Sequence, residues 1–180
     1  MATTIDIISG DITRESTDAI ANAANSSLLG GGGVDGAIHR AAGPRLLEAC
    51  KELRRTTLPD GLPVGQAVAT DAFELPCRWV IHTVGPNRHA GQTDPSLLAS
   101  CFTSSLRVAV ELGARSIAFP AVSAGVYGWA ADDVARIALQ ATNDSDAVRS
   151  EALDLVRFVL FGEPLLHAFE AARARIGAGE

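Results

Sequence analysis

One stretch near the N-terminus concentrates the groups that could do chemistry: Asn22, Asn25, four consecutive glycines at 30–33, Asp35 and His39. A carboxamide can bind a hydroxyl group, and a carboxylate can orient or deprotonate a water molecule. Glycine can adopt positive φ and let the backbone approach a ligand closely. A glycine loop that opens a helix directs free N–H groups and the positive end of the helix dipole to one place. The stretch therefore predicts a phosphate-binding loop with a carboxylate and an imidazole beside it.

Each of these side chains also has a structural interpretation. Asp35 begins a predicted helix, so it could be an N-cap worth about 1 kcal/mol instead of a catalytic group. His39 follows one helical turn later on the same face, as either a structural or a supporting group. Asn25 could cap its own turn or hold a sugar hydroxyl, whereas Asn22 is predicted to be a buried scaffold residue.

Other candidate groups lie at predicted strand ends, where the open sheets of α/β proteins bind ligands. Asp11 is typical of an Asx turn, but in a cleft its carboxylate could accept the amine of an adenine. Tyr127 and Phe161 could cover the core or offer flat surfaces to a ribose and an adenine. Ser123 is a weak nucleophile candidate, since no G-x-S-x-G elbow and no evident base accompanies it.

The glycine loop also matches a dinucleotide-binding fingerprint, because Gly31 to Gly36 fits G-x-G-x-x-G. That fingerprint should follow a strand directly and be followed by an acidic residue about 20 positions later. Here residues 25–29 intervene, and the region that follows, 51–55, is basic. Nicotinamide-dinucleotide binding is therefore the weaker alternative, and the absence of G-x-x-x-x-G-K-[ST] excludes a P-loop NTPase.

The composition is that of an ordinary globular protein, with 180 residues, 47% hydrophobic and 20% charged. A net charge of −6 argues against general nucleic-acid binding, which needs a basic face. Three cysteines without metal-ligand spacing predict reduced core thiols and no metal site. The chain begins without a signal-peptide pattern and lacks the roughly 18 apolar residues of a membrane span, so we expect a cytoplasmic protein without membrane contact.

Apolar patterning supplies the elements that position these groups. It predicts strands at 3–8, 18–21, 66–71, 79–84, 116–120 and 153–161, and helices at 35–42, 45–55, 96–112, 130–142, 147–151 and 164–176. Strands that alternate with helices, with no repeat and no linker, predict a single three-layer α/β domain over residues 1–180 with a mostly parallel sheet.

Five motifs in this order resemble the macrodomain family, specifically its MacroD-like ADP-ribosyl hydrolases of the O-acetyl-ADP-ribose deacetylase type. The motifs are GDIT, NAAN, GGGGVDGAIHRAAG, VIHTVGP and IAFPAVSAGVYG. The resemblance implies an α/β/α sandwich with a mixed, mostly parallel six-stranded sheet. It also implies binding of ADP-ribose and hydrolysis of esters on its distal ribose. The implied substrates are O-acetyl-ADP-ribose and proteins mono-ADP-ribosylated on aspartate or glutamate, with no cofactor.

Matching positions carry the family's roles onto this chain. Asp35 would be the catalytic carboxylate that activates water, Asn25 would hold the distal ribose beside it, and His39 would support them. Asp11 would take the adenine amine and Phe161 would stack on the adenine. The remaining binding positions are Ile12, Gly32, Gly33, Val34, Ser123, Ala124, Gly125, Val126 and Tyr127.

Two departures from the family pattern concern the second loop. It contains Ser-Ala-Gly where the family usually has Ser-Thr-Gly, and Gly128-Trp129 where Gly-Tyr-Pro is usual. A non-catalytic ADP-ribose reader is the main alternative function, but Asn25 and Asp35 favour an enzyme because a reader needs neither group at the bond to be cleaved. An RNA-binding role has less support from the acidic composition, and we expect a monomer.

Overall fold

The computed structural model describes residues 1–178, in which a six-stranded sheet is covered by helices on both faces. The strands are β1 (Thr4–Ser9), β2 (Ala19–Ala24), β3 (Ala67–Asp71), β4 (Trp79–Val84), β5 (Ser116–Phe119) and β6 (Leu155–Leu160). Their spatial order is β1-β6-β5-β2-β4-β3, and only the β3–β4 pair is antiparallel. The predicted mixed, mostly parallel sheet of an α/β/α sandwich is confirmed; the predicted domain limit at residue 180 lies outside the described residues.

The helices divide between the two faces of the sheet. They are α1 (Gly33–Ala42), α2 (Pro44–Arg55), α3 (Pro95–Leu112), α4 (Ala131–Asp144), α5 (Asp146–Arg149) and α6 (Glu163–Gly177). Helices α1 and α2 bury their apolar stripes in one core cluster, and α3 to α6 bury theirs in a second cluster across the sheet. No helix among residues 1–178 combines the length and the apolarity needed to cross a membrane.

Strand alternation decides which polar side chains of the sheet face α1 and α2. In β2 and β4 the buried even-numbered apolar residues belong to the α1/α2 cluster, and the buried odd-numbered ones pack beneath α3 to α6. Asn22 and His82 are even-numbered, and the parallel register places them directly opposite each other. Two completely buried polar side chains therefore meet beneath α1.

Several boundaries differ from the predicted ones. Strand β2 continues to Ala24 instead of ending at Ala21, because all six of its residues pair with β4. Helix α1 begins at Gly33, two residues before the predicted start. Helix α4 continues past Thr142 to Asp144, and β6 is shorter than predicted. The extension of β2 matters most, because it places Asn22 inside the sheet.

The three cysteines are free thiols buried in the core, as predicted. Burial raises the pKa of each of these thiols, Cys50, Cys77 and Cys101, to about 11. A thiol with such a pKa carries almost no thiolate at neutral pH and is a poor nucleophile. These side chains therefore serve packing.

Candidate active site

The loops singled out from the sequence gather at one edge of the sheet. Strands β1, β6, β5, β2 and β4 are parallel, so the loops that follow them all leave at their carboxyl ends. The glycine loop follows β2, and the loop at 120–129 follows β5, which pairs with β2. The structure thus brings the two glycine-bearing loops to neighbouring positions at the edge where α/β sheets bind ligands.

Asp35 lies in the first turn of α1 and is only 5% exposed. Its Oδ1 accepts a hydrogen bond from Asn22 Nδ2 at 2.8 Å and lies 3.4 Å from His39 Nε2. Its Oδ2 points towards Gly31, since a Cβ atom built there would be 3.3 Å from it. One carboxylate oxygen is therefore held from inside the protein, and the other faces the glycine loop.

The N-cap interpretation of Asp35 is wrong. The N-cap of α1 is Gly32, which has extended backbone and provides no capping side chain. Asp35 comes three residues later, and its carboxylate bonds to the sheet instead of to the helix's own N–H groups. The contact between Asp35 and His39, at i and i+4, does follow from the predicted helical spacing.

Asn25 both stabilises its own turn and faces the same point as Asp35. Its Nδ2 donates to the Gly30 carbonyl at 3.0 Å, and its Oδ1 accepts from the Ser27 hydroxyl. The Nδ2 atom would lie 3.4 Å from a Cβ atom at Gly31. The amide of Asn25 and the carboxylate of Asp35 thus flank Gly31.

The glycine loop keeps its backbone open. A Cβ atom at Gly36 would lie 2.6 Å from the Gly31 carbonyl oxygen, so the loop packs closely on the first turn of α1. Gly32 and Gly33 are exposed, with no atom within 4 Å of a built Cβ. The first intrahelical bond is donated by Gly36 N–H to Gly32, so Gly33, Val34 and Asp35 keep N–H groups without an acceptor among the described residues. Such free donors at a helix N-terminus bind anions.

The second loop, Ser123 to Tyr127, is fixed by its first residue. Ser123 has φ of +68°, and its buried hydroxyl donates to the Pro86 carbonyl at 2.9 Å, which leaves it poorly placed as a nucleophile. Residues Gly125–Tyr127 form a 3₁₀ turn in which Val126 is 87% exposed. Trp129, where the family pattern is broken, is buried and donates its indole N–H to the same Pro86 carbonyl at 3.0 Å.

At the same edge of the sheet, β1 and β6 end side by side. Ser9 pairs with Leu160, so Asp11 and Phe161 follow directly from neighbouring strands. Asp11 accepts from Thr13 N–H at 3.0 Å and from the Thr13 hydroxyl at 2.7 Å, and these bonds lower the pKa of its carboxyl group. The Asx turn is therefore present. Phe161 is 91% exposed, so the interpretation of this ring as a cover of the core is wrong.

Ile12 and Tyr127 are less exposed than Asp11 and Phe161. Ile12 is buried in the α1/α2 cluster beside Asp11, which leaves its backbone as the part available to a ligand. Tyr127 is half-buried at the end of the 3₁₀ turn.

His82, for which the sequence predicted no role, lies behind the site. Its Nδ1 lies 3.2 Å from Asn22 Nδ2, and its Nε2 lies 3.0 Å from the Thr70 hydroxyl. Burial, with the nearby His39 imidazole, lowers the pKa of His82 from 6.5 to about 4, although the Asp35 carboxylate opposes the change. His82 is therefore neutral at physiological pH. The sequence signal for it was a histidine within a mostly apolar strand.

Comparisons with known proteins agree with this fold. A family profile described as Macro domain matches residues 21–138. A Macro domain-containing protein of Streptomyces coelicolor is 56% identical over 175 residues, which cover 97% of this chain and 99% of that protein. A protein of Escherichia fergusonii named O-acetyl-ADP-ribose deacetylase is 49% identical over 165 residues, 91% of each chain.

Solved structures of macrodomains superpose on this fold. The Oceanobacillus iheyensis macrodomain with ADP superposes with a TM-score of 0.94 at 42% identity, covering 99% of this chain and 94% of that one. The Trypanosoma brucei macrodomain in complex with ADP-ribose gives a TM-score of 0.84 at 41% identity, covering 94% and 68%. With a profile match over more than half of its length and relatives this similar, the chain belongs to the macrodomain family.

Proposed function

We propose that this protein binds ADP-ribose and hydrolyses esters on its distal ribose. The substrates are O-acetyl-ADP-ribose and mono-ADP-ribosyl groups on aspartate or glutamate side chains. The observation that carries the proposal is the buried Asp35 carboxylate, whose Oδ1 is held by Asn22 while its Oδ2 faces the glycine loop beside Asn25. The names of relatives such as the Escherichia fergusonii and Enterobacter cloacae O-acetyl-ADP-ribose deacetylases support it.

Binding would use the two loops and the β1–β6 end of the cleft. The free N–H groups of Gly33 and Val34 and the exposed backbone of Gly32 suit the diphosphate, with the turn at Gly125–Tyr127 on its other side. Ser123 and Ala124 hold that turn in place. The adenine would lie against the exposed Phe161 ring, with its amine donating to the Asp11 carboxylate.

The reaction needs an activated water, a fixed ribose and stabilisation of the carbonyl oxygen. Asp35 Oδ2 would accept a proton from a water molecule that attacks the acyl carbon of the ester. The bond between that carbon and the ribose oxygen then breaks, and the ribose oxygen takes a proton to give ADP-ribose and a free carboxylic acid. Asn25 would hold the ribose, His39 would support the Asp35 carboxylate, and free N–H groups of the glycine loop would stabilise the oxyanion.

The alternative is a reader that binds ADP-ribose without turnover. Burying the Asp35 carboxylate costs desolvation free energy, which its contacts with Asn22 and His39 offset only in part, and its charge would oppose binding of an anionic diphosphate nearby. A protein that only binds ADP-ribose gains nothing from this group, so the site favours the enzyme. We also propose that the protein acts as a cytoplasmic monomer on ADP-ribose conjugates of proteins and not on nucleic acid in general, in keeping with its acidic composition.

Hydrolysis in H₂¹⁸O tests the function of the unmodified protein. Purified protein is incubated with O-acetyl-ADP-ribose and, separately, with a glutamate-linked mono-ADP-ribosylated protein, and the products are identified by mass spectrometry. Attack on the acyl carbon predicts that ¹⁸O appears in the released carboxylate and not in ADP-ribose. Tight binding of ADP-ribose without release of any product would identify a reader instead.

A further inference from the structure

A chain of buried polar groups runs from the core to the candidate site. The Asn22 amide nitrogen lies 2.8 Å from Asp35 Oδ1 and 3.2 Å from His82 Nδ1. On the other side of the imidazole, Nε2 lies 3.0 Å from the Thr70 hydroxyl. Asn22, His82 and Asp35 are all at most 5% exposed, and Thr70 is 9% exposed. Strands β2, β3 and β4 thus connect to α1 through buried polar side chains.

The hydrogen atoms of this chain can be assigned from its chemistry. A carboxamide nitrogen carries two N–H donors and no acceptor. The ionised Asp35 accepts one of them, so the contact at 3.2 Å requires His82 Nδ1 to accept the other. His82 must then carry its proton on Nε2, which can donate to the Thr70 hydroxyl.

The two acceptors fix the orientation of the Asn22 amide. If the amide flipped, its oxygen would face the Asp35 carboxylate, which is repulsive, and with His82 protonated on Nε2 it would also face the Nδ1 lone pair. The amide keeps its orientation although its Oδ1 is buried without a partner among the described residues, which costs free energy. With Asn22 so fixed, Asp35 Oδ1 is held and Oδ2 is turned to Gly31.

We propose that His82 is a positioning residue for ester hydrolysis: through the lone pair on Nδ1 it orients the Asn22 amide, which in turn holds the Asp35 carboxylate in its reactive rotamer. This inference rests on the proposed function of Asp35. His82 itself does not contact the substrate, because it is completely buried beneath α1 and α2.

The groups around His82 are consistent with an acceptor that is neutral at physiological pH. Besides Asn22 and Thr70, it faces the Cys50 thiol, whose Sγ lies 3.9 Å from Nε2. Asp35 and His39 are the charged or titratable groups near enough to affect it, and burial opposes its protonation more strongly than Asp35 favours it. Nothing next to His82 therefore competes with Asn22 for the Nδ1 lone pair.

Three substitutions at His82 separate this role from simple packing. His82→Asn places an amide oxygen at the position of Nδ1, whereas His82→Gln places its amide near the position of Nε2, and His82→Phe removes both acceptors while filling the space. We expect kcat for O-acetyl-ADP-ribose to fall roughly tenfold to 100-fold in His82→Phe and His82→Gln, since small misplacement of a catalytic group has effects of this size. His82→Asn should restore kcat to within about threefold of the wild type, and the Kd for ADP-ribose should stay within about threefold throughout.

The outcomes are decisive in each direction. A wild-type kcat in His82→Phe overturns the proposal. Parallel loss of kcat and of ADP-ribose affinity in all three variants also overturns it, because that result indicates that His82 serves only packing. If His82→Phe does not fold, the Asn and Gln variants decide, and equal kcat values for them overturn it.

A second measurement separates failure of this proposal from failure of the proposed function. The ¹⁵N chemical shifts of the His82 imidazole in the wild-type protein should show a neutral ring protonated on Nε2, whether or not the protein is an enzyme. A ring protonated on Nδ1 contradicts the positioning role. If the ring is protonated on Nε2 but the protein hydrolyses no ester, the proposed function has failed and the structural arrangement of His82 stands.

Discussion

Acidification should destabilise the protein through His82. The unfolded chain takes up a proton on this side chain below pH 6.5, whereas burial in the folded state lowers its pKa to about 4. Between these values the unfolded state binds more protons, so the free energy of unfolding falls as the pH is lowered. One pKa unit corresponds to about 1.4 kcal/mol, so the gap between 6.5 and about 4 amounts to about 3 kcal/mol at full protonation.

Urea unfolding between pH 7.5 and pH 4.5 measures this contribution. Wild-type protein and His82→Phe are compared, and we expect the variant to lose about 2 kcal/mol less than the wild type over this range. Thr142→Val is the matched control, because Thr142 is another completely buried polar residue, in α4 and outside the candidate site. It should retain the wild-type pH dependence.

Acidic side chains do not obscure this comparison. Hydrogen bonds and nearby cations lower the pKa of Asp11, Asp94 and Asp154 below the usual value of 3.8, so their contributions are lost at lower pH and are common to all variants. Equal pH dependence in the wild type and His82→Phe would refute the reasoning, because it would mean that folding does not change the proton affinity of His82.

Three further predictions concern single positions. Gly61→Ala should lower the free energy of unfolding by about 3 kcal/mol, because φ is +95° and the new Cβ would lie 2.5 Å from the Ser26 carbonyl oxygen. Its control is Gly91→Ala, where φ is +82° but the space is open, and this substitution should cost only about 1 kcal/mol. Equal losses of stability for the two variants in urea unfolding would contradict this prediction. Thr142→Val should leave the free energy of unfolding in urea unchanged or raise it by up to about 1 kcal/mol, because the buried Thr142 hydroxyl has no partner among the described residues. A clear decrease in this free energy would mean that the hydroxyl forms a hydrogen bond. Phe161→Ala should weaken ADP-ribose binding about tenfold by titration calorimetry without changing stability, because this ring is 91% exposed; unchanged affinity would exclude stacking on the adenine.

Much of the architecture could be predicted from apolar patterning. Strand β4 was predicted with its observed limits, because a nearly continuous apolar run that ends at Gly-Pro has few alternatives. Helix α3 ends at Gly113 in the left-handed conformation, as its sequence indicated. Strand β2 was predicted too short because the asparagine- and glycine-rich stretch that follows Ala21 resembles a loop, whereas pairing with β4 continues along the whole strand to Ala24.

The site was less accessible to sequence analysis, for a physical reason. Local composition indicates the glycine-bearing loops and Asp35, but it does not indicate which side chains contact Asp35. Asn22 meets His82 across 60 positions in the chain, and this contact depends on which strands are neighbours and in which register. Local sequence determines neither of these, so the N-cap and the catalytic interpretations of Asp35 were equally open from the residues alone, and no role could be assigned to His82.

The central claim is that Asp35 activates water for ester hydrolysis, and comparing Asp35→Ala with the wild type tests it most directly. Turnover of a glutamate-linked mono-ADP-ribosylated protein and affinity for ADP-ribose are measured on the same preparations. Asp132→Ala, which removes an exposed carboxylate from the first turn of α4, is the control. We predict that Asp35→Ala loses about 100-fold or more in kcat while its Kd for ADP-ribose stays within about threefold, and that the control matches the wild type. Wild-type turnover in Asp35→Ala would contradict the account.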